Sequence, residues 1–331
     1  MATFHTELSR KGPGLLLRDI KSGEDAQVAA VARVVTAAAP DVLVLQGVDY
    51  DHGLAALHAL RDLIARAGPD YRHVFALRPN TGMATGLDLD GDGRTGEPED
   101  AQGYGWFAGE GGMAILSRHP VDESGARDFA GLLWRDLPGA IPPEGMAPGI
   151  MAVQRLSRVG HWAVPLRIRG ETVTLLTFHA SPPVFDGPED RNGRRNHDEI
   201  LFWQHYLDGA FGPPPRGRFI LAGNANLDPL DGDGRKTAIR RLLGDPRLID
   251  PAPRRPGPVT EAHGHAGDPA LDTAAWPGPE PGHLRVSYVL PSSDFRVAGA
   301  GVHWPNEGQA AATTAAASRH RLVWADLVID W

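Results

Sequence analysis

Short apolar runs that end in polar residues recur along the whole sequence and constrain the fold more than any other feature. They cover residues 41–46, 112–117, 172–179, 218–223, 284–290 and 321–329. Runs of this length between turn residues are typical of buried β-strands. Helical spacing predicts helices over 25–39 and 53–67, and two more around 197–207 and 236–243. Strands interleaved with helices predict an α/β fold in which two sheets pack face to face with helices outside.

The length and composition indicate one domain. The chain has 331 residues, 42% of them hydrophobic, and carries no fixed-period repeat or shift in composition, so residues 1–331 are predicted to form a single domain. No apolar run approaches the roughly 20 residues that span a bilayer, and no signal-peptide pattern opens the sequence. The location stays open between the cytoplasm and, if a signal peptide has been removed, the periplasm or the exterior.

The charge balance narrows the class of ligand. The formal net charge is −8, which disfavours bulk nucleic acid as a partner, although a local basic patch can still hold a small phosphate. The absence of cysteine excludes disulfides, thiolate metal sites and a cysteine nucleophile.

An acidic loop at residues 88–99 (DLDGDGRTGEPE) matches the spacing of a calcium loop. Alternate carboxylates from Asp88, Asp90 and Asp92 would converge on a hard cation, and the Arg94 carbonyl and Glu99 would complete the oxygen shell. The flanking segments do not have the pattern of EF-hand helices. The sequence therefore predicts an isolated Ca²⁺ loop, with a solvated acidic turn as the alternative.

Polar side chains follow several of the predicted strands. His179 ends one strand and precedes a loop with Arg191 and Arg194, whose guanidinium groups match phosphate oxygens. Asn224 and Asn226 follow another strand and share one face, because strand side chains alternate. Ligand sites of α/β proteins collect at such strand ends. The sequence predicts a phosphate pocket here, and the alternative is a solvated loop with Asp–Arg pairs.

A further histidine, His320, stands beside the last strand. A lone histidine is more often structural, but two histidines around an Asn-x-Asn turn favour a functional site.

In order, these segments resemble motifs of the endonuclease/exonuclease/phosphatase family. The matching segments are LVLQGV at 43–48, GMAILSRHPV at 112–121, TFH at 177–179, GNAN at 223–226, RVSYVL at 285–290 and SRH at 318–320. The resemblance implies a four-layered αββα sandwich of two mainly antiparallel sheets flanked by helices. It also implies a metal-dependent phosphoesterase that uses Mg²⁺ or Mn²⁺.

The resemblance assigns roles to four polar residues. Asn226, His179 and His320 fall where the family binds the scissile phosphate, and Asn224 falls where an aspartate orients the attacking water. Tyr104 and Arg118 are implied as further phosphate contacts.

Several acidic residues of the family are replaced in this chain. Gly47, Asn224, Ser287 and Arg319 stand where the family has carboxylates, and His5 replaces an asparagine in the first strand. An amide cannot take a proton from water, and a hard divalent ion without carboxylates loses its charged ligands. Three nearby acids, Glu7, Asp49 and Asp51, are candidate substitute ligands.

Three functions remain open from the sequence. The first is a metal-dependent phosphatase or phosphodiesterase acting on a small phosphoester. The second is a catalytically silent or impaired member that binds a phosphate ligand or a partner. The third is a nuclease, which would need a more basic groove than the sequence offers.

Overall fold

The computed structural model describes residues 1–257, 259, 265–278 and 281–329. Helices form where the apolar spacing is helical or where alanine is frequent. They are α1 (Leu15–Ser22), α2 (Ala26–Ala38), α3 (Ala55–Ala65), α4 (Pro148–Met151), α5 (Arg191–Leu207), α6 (Thr237–Leu243) and α7 (Gly308–Ala317). Asp25 accepts a hydrogen bond from the Val28 amide and caps α2, as expected for an aspartate at a helix N-terminus.

The first sheet contains the first and the last of the described strands. Its strands are β1 (Ala2–Leu8), β2 (Val42–Val48), β3 (His73–Phe75), β4 (Gly112–Ser117), β12 (Arg296–His303) and β13 (Leu322–Val328). Across the described chain their order is β12-β13-β1-β2-β4-β3. β1 runs parallel to β2 and antiparallel to β13.

The second sheet is built from the middle of the chain. Its strands are β5 (Arg127–Asp128), β6 (His161–Ile168), β7 (Glu171–His179), β8 (Phe219–Asn224) and β11 (Ser287–Pro291), in the order β11-β8-β7-β6-β5 within the described residues. β7 and β8 are parallel and the other pairs antiparallel. A separate hairpin pairs β9 (Ala274–Ala275) with β10 (His283–Leu284).

Alternating side chains divide the apolar residues of both sheets between different layers. In β2, Leu43 and Leu45 pack with the helices α1–α3, whereas Val42 and Val44 pack against the second sheet. The opposite face of the second sheet packs against α5 and α6. The layers are therefore helix, sheet, sheet and helix, which confirms the predicted α/β sandwich of mainly antiparallel sheets.

Several elements differ from the sequence expectations. The strand β4 has the predicted bounds, and α5 begins at Arg191, so the segment predicted as a loop with Arg191 and Arg194 is helical. The elements that were not predicted are β3, β5, β6, β9, β12, α1, α4 and α7. β12 is rich in glycine and alanine, and α7 is nearly uniformly apolar or small, so neither shows a clear period. No helix in the described part of the chain is long and apolar enough to cross a bilayer. The single-domain assignment stays a prediction.

Candidate functional site

Three imidazole rings from distant parts of the sequence meet at one end of the two sheets. The His5 ring centroid lies 4.6 Å from that of His179 and 4.2 Å from that of His320. β1 supplies His5, β7 ends with His179, and His320 lies between α7 and β13. His179 and His320 are each only 3% exposed, whereas His5 is half-buried.

Two asparagine side chains adjoin this histidine cluster (His5, His179 and His320). Parallel pairing of β7 and β8 sets His179 opposite Asn224. The Asn224 Nδ2 atom lies 3.1 Å from His5 Nδ1 and donates to Asn226 Oδ1 at 3.0 Å. Asn226 in turn donates to the Ala180 carbonyl. Asn224 therefore connects the two sheets, and it does so through the N–H donor of its amide group.

The backbone at Gly47 lies directly against the histidine cluster. Gly47 has φ 68°, and an added Cβ would lie 2.7 Å from both Cδ2 and Nε2 of His5. Real Cβ atoms do not approach other atoms this closely. The His5 ring thus fills the space that a side chain at position 47 would enter.

The candidate ligand Glu7 is held in an ion pair. Its carboxylate accepts hydrogen bonds from the backbone N–H and Nε of Arg319, each at 2.8 Å, and from the Ser318 hydroxyl at 2.9 Å. Burial acts to raise the pKa of Glu7, but the hydrogen bonds from Arg319 outweigh it and the net pKa is lowered. Arg319 therefore neutralises an acid that interacts with His5.

The candidate ligand Asp49 is also engaged by other groups. Its two oxygens accept the backbone N–H groups of Arg10 at 2.9 Å and Gly111 at 3.0 Å, and the residue is 7% exposed. Burial raises the pKa of Asp49 to about 6. Asp49 therefore connects the chain at Arg10 to the chain at Gly111 through hydrogen bonds.

The histidine cluster is electrically neutral. Burial lowers the pKa of His5 to about 4. Burial, and then the neighbouring His5, also lowers the pKa of His179 and of His320 well below its ordinary value. Near pH 7 the three rings are therefore uncharged imidazoles.

Several buried polar atoms at the cluster lack hydrogen bonds. Among the described residues, both ring nitrogens of His179, Nδ1 of His320 and the Ser287 hydroxyl have no partner. Ser287 lies opposite Asn224 in the β8–β11 pair. Buried polar atoms without partners cost about 1–3 kcal/mol each, so these four atoms would gain from a water molecule or a ligand that bonded to them.

The acidic loop gathers a slightly different set from the one predicted. Ligand atoms of Asp88, Asp90 and Asp100 lie within 4.8 Å of one another. Asp92 instead accepts from the Arg94 amide at 2.8 Å. Asp100, next to the predicted Glu99, was missed because the loop pattern points only to position twelve.

Neither implied phosphate contact is joined to the cluster by a hydrogen bond among the described residues. Arg118 follows β4 and pairs with Asp41 at 3.0 Å, which precedes β2. Gly47 lies near the other end of β2, so Arg118 is at the opposite edge of the sheet. Tyr104 is 47% exposed on a loop, two residues from the exposed Trp106.

The two predicted phosphate-binding arginines are bound to protein oxygens. Arg191 donates to the Leu89 carbonyl at 3.0 Å and to Gln154 Oε1 at 2.6 Å. Arg194 donates to the Glu189 carbonyl at 3.1 Å. These contacts tie surface loops to α5, and they explain the arginines without a phosphate.

The sequence analysis did not predict that His5 lies at the centre of the site. The only indication in the sequence was that His5 stands where the resemblance implies an asparagine. Trp276, whose ring centroid lies 5.4 Å from that of His320, gave no signal at all.

Comparison with known proteins identifies the family. The profile of the endonuclease/exonuclease/phosphatase family matches residues 18–320. The chain belongs to this family. No curated protein is significantly similar to the sequence.

Solved structures of the family share the fold at low sequence identity. An endonuclease/exonuclease/phosphatase from Beutenbergia cavernae is 20% identical, with TM-score 0.57, over 98% of this chain and 70% of that one. A mannosyl-6-phosphatase from Bacteroides thetaiotaomicron is 13% identical, with TM-score 0.53, over 99% and 98%. A sphingomyelinase C from Streptomyces griseocarneus is 16% identical, with TM-score 0.51, over 97% and 96%.

Members of the family generally depend on a divalent metal, but the residues at this cleft do not fit a hard ion. Gly47 and Asn224 offer no carboxylate, and Glu7 is neutralised by Arg319. Mg²⁺ and Mn²⁺ are bound mainly through carboxylate oxygens and water. Within the described residues, the acidic triad Asp88, Asp90 and Asp100 is the only group of three metal-binding side chains whose ligand atoms already lie close together.

A first prediction concerns the contact between His5 and Gly47. We expect Gly47→Ala to lower the free energy of unfolding by about 2–4 kcal/mol, because left-handed strain adds to overpacking. In a His5→Ala background the same change should cost less, about 1–2 kcal/mol of strain together with the tight contact of 3.1 Å to the Glu7 backbone nitrogen, which remains. Urea unfolding of the four proteins measures this coupling.

Gly86→Ala is the matched control. Gly86 has φ 76° and nothing within 4 Å of an added Cβ, so this substitution carries the strain without the contact. An equal cost for the two glycine substitutions would contradict the described contact.

A second prediction concerns pH. The folded-state pKa of His5 is about 4, below its ordinary value of 6.5, so the unfolded chain binds the proton first as pH falls. The stability that His5 contributes is complete above pH 6.5 and is lost as pH falls towards 4. The unmodified protein should therefore lose stability relative to His5→Asn between about pH 7 and about pH 5.

Urea titrations of both proteins across this range give the difference. Asp49 has a raised pKa, so it acts in the opposite direction, but it is present in both proteins and cancels. Parallel pH profiles would show that His5 is not a neutral buried base.

Proposed function

We propose that this family member binds a small phosphoester and has lost Mg²⁺- or Mn²⁺-dependent hydrolysis. His179, Asn226 and His320 would contact the phosphate, because they occupy the matching motif positions and meet at one end of the sheets. The proposed function is therefore phosphoester binding in a cleft that does not hold Mg²⁺ or Mn²⁺.

The contact between His5 and Gly47 carries this proposal. A glutamate at position 47 would need the space in which the His5 ring lies, 2.7 Å from an added Cβ. The space that a carboxylate side chain at position 47 would need is therefore occupied by the ring of His5 from the neighbouring strand. A single missing acid can be replaced by a nearby one, but here the replacement is an imidazole.

The hydrogen bonds of Asn224 support the same conclusion. Its Oδ1 accepts the Asn226 amide at 2.9 Å and its Nδ2 donates to Asn226 Oδ1. An aspartate at 224 would repel the Asn226 oxygen, and an amide has no basic site near neutral pH. The side chain that would activate water in the family has a structural role here.

The electrostatics favour a small anionic ligand over nucleic acid. Imidazole and amide groups can donate N–H bonds to phosphate oxygens, and few ionised acids remain nearby to repel them. The arginines at 191 and 194 are bound to protein oxygens and do not form a basic groove. With a net charge of −8, a nuclease role is the weakest of the three.

A third prediction tests binding and hydrolysis separately. We expect no metal-dependent turnover of an aryl phosphate monoester or diester with Mg²⁺ or Mn²⁺. Calorimetry in EDTA should still detect binding of the monoester, weakened about tenfold or more by Asn226→Ala, because hydrogen bonds to a charged group contribute about 1.5–3 kcal/mol. Arg118→Ala, at the other edge of the sheet, is the control and should bind normally.

Restoring the family residues sharpens this test. A triple variant His5→Asn, Gly47→Glu and Asn224→Asp should gain Mg²⁺-dependent hydrolysis of about 100-fold or more over the unmodified chain. Gly47→Glu with Asn224→Asp alone should not, because His5 still fills the space. Turnover by the unmodified chain would instead establish the metal-dependent hydrolase.

We further infer that the acidic loop holds Ca²⁺ as a structural ion. Asp88 and Asp90 would bind it together with Asp100, whose backbone partners fix its carboxylate. Mutual repulsion among three carboxylates within 4.8 Å would be relieved by a divalent cation.

A fourth prediction follows for this loop. Millimolar Ca²⁺ should raise the melting temperature of the unmodified protein. It should not change the melting temperature of the double variant Asp88→Asn/Asp90→Asn. The matched control is Asp231→Asn/Asp233→Asn, in a second Asp-Gly-Asp-Gly turn at 231–234. Equal shifts in all three proteins would show that the loop is a solvated turn.

A further inference from the structure

Two buried arginines pack on one aromatic ring outside the histidine cluster. The Arg255 Cζ atom lies 4.7 Å from the centre of the Trp304 ring, and the Arg321 Cζ atom lies 4.5 Å from it. We propose that Arg255 and Arg321 form a binding site for an oxyanion, the phosphate or carboxylate group of a small ligand. This site is separate from the phosphoester cleft, and neither site requires the other.

The two guanidinium groups are buried without an acidic partner. Arg255 is 8% exposed and Arg321 is 6% exposed, and neither forms an ion pair with a carboxylate of the described residues. The Nε atoms of both are fully buried and have no hydrogen-bond partner there. Arginine is almost never buried unless it is paired, and a buried charge without a counter-charge is costly. An anion at this place would supply the counter-charge.

Other arginines buried to the same extent are satisfied by protein oxygens. Arg285, which is 6% exposed and also packs on a ring, donates both terminal nitrogens to the Asp250 carboxylate. Arg195, also 6% exposed, donates to three backbone carbonyls. Arg255 donates no side-chain hydrogen bond to any residue that the structure describes. Contact with an aromatic ring therefore does not explain its burial, since Arg285 has a ring and a carboxylate as well.

The free N–H groups of the pair are open to a ligand. Arg321 uses one terminal nitrogen to donate to the carbonyls of Ser318 and His320. Its other terminal nitrogen and both terminal nitrogens of Arg255 form no hydrogen bond within the described chain, and protein does not fully enclose them. Guanidinium groups present their N–H donors as a planar fork that matches the oxygens of phosphate and carboxylate groups. The donors that remain therefore fit an oxyanion.

Two acids interact with the pair without neutralising it. Burial lowers the pKa of Arg321 to about 10, Glu7 acts against this effect, and Arg255 adds to it. Glu7 is already paired with Arg319. Asp272 interacts with Arg255, but burial raises the pKa of Asp272 to about 7, so this carboxyl group is partly neutral near pH 7. The two guanidinium groups therefore keep a net positive charge that attracts an anion.

The fifth prediction is tested by calorimetry with inorganic phosphate in an Asn226→Ala background, which weakens the phosphoester cleft. The ionic strength is held constant with NaCl. We expect saturable binding of phosphate, and we expect Arg255→Gln and Arg321→Gln each to weaken it about tenfold or more, because each removes charged hydrogen-bond donors. Succinate replaces phosphate in a second series and shows whether a carboxylate group also binds.

Arg127→Gln is the matched control. The Arg127 Cζ atom lies 4.8 Å from the centre of the Phe129 ring, but its guanidinium donates to the backbone carbonyls of Phe211 and Pro213. This variant should therefore bind phosphate normally. Arg255→Lys keeps the charge and loses the planar fork, so it should also weaken binding and provides the test if a glutamine variant does not fold.

Two results would overturn the oxyanion site. One is that the folded Asn226→Ala protein binds neither phosphate nor succinate. The other is that the Arg255 and Arg321 variants bind both anions as well as Arg127→Gln does. Phosphate binding that depends on Arg255 but is the same with and without Asn226→Ala would support this site and count against the phosphoester cleft. The failure of either proposal can therefore be told from the failure of the other.

Discussion

The close approach of the His5 ring to the Gly47 backbone is the constraint on which the rest of the site depends. It requires a residue without Cβ in a buried strand, and it puts an imidazole between His179 and His320. With that ring in place, a carboxylate cannot enter from position 47. The contacts of Asn224 and Arg319 are consistent with it, since the Asn224 amide hydrogen-bonds within the site and the Arg319 guanidinium neutralises Glu7.

The cluster exists only because the two sheets dock with their strand ends aligned. The first sheet supplies His5 and the segment at His320, and the second supplies His179 and Asn224. The apolar layer between the sheets, with Val44, Leu175 and their neighbours, fixes their relative position. Close-packed interiors resist sliding because any shift opens voids. The relative positions of the polar side chains are therefore fixed by the apolar packing between the sheets.

The sequence predicted the sandwich because its strands carry the signal locally, as in β4 and β7, where apolar runs end at polar residues. It also indicated that His179, Asn224, Asn226 and His320 belong together, since the first three end or follow a strand and His320 stands just before one. The part played by His5 was not predictable, because it depends on a contact with Gly47 across two strands and on docking with the second sheet. Arg191 and Arg194 were predicted to bind phosphate, but they bind oxygens of the protein. The sequence alone does not show whether a guanidinium contacts a phosphate or a backbone carbonyl.

The order of strands in the first sheet has a consequence for how the chain is made. β1 lies between β2 and β13, so the second residue pairs with Trp324 and the Met1 amine donates to the Ala325 carbonyl. Chains emerge from the ribosome N-terminus first, and β1 therefore waits with one edge open until β13 (Leu322–Val328), more than 300 residues later, has been made. An open strand edge is a template for pairing with other chains. We expect the nascent protein to depend on chaperones more than its final compactness suggests.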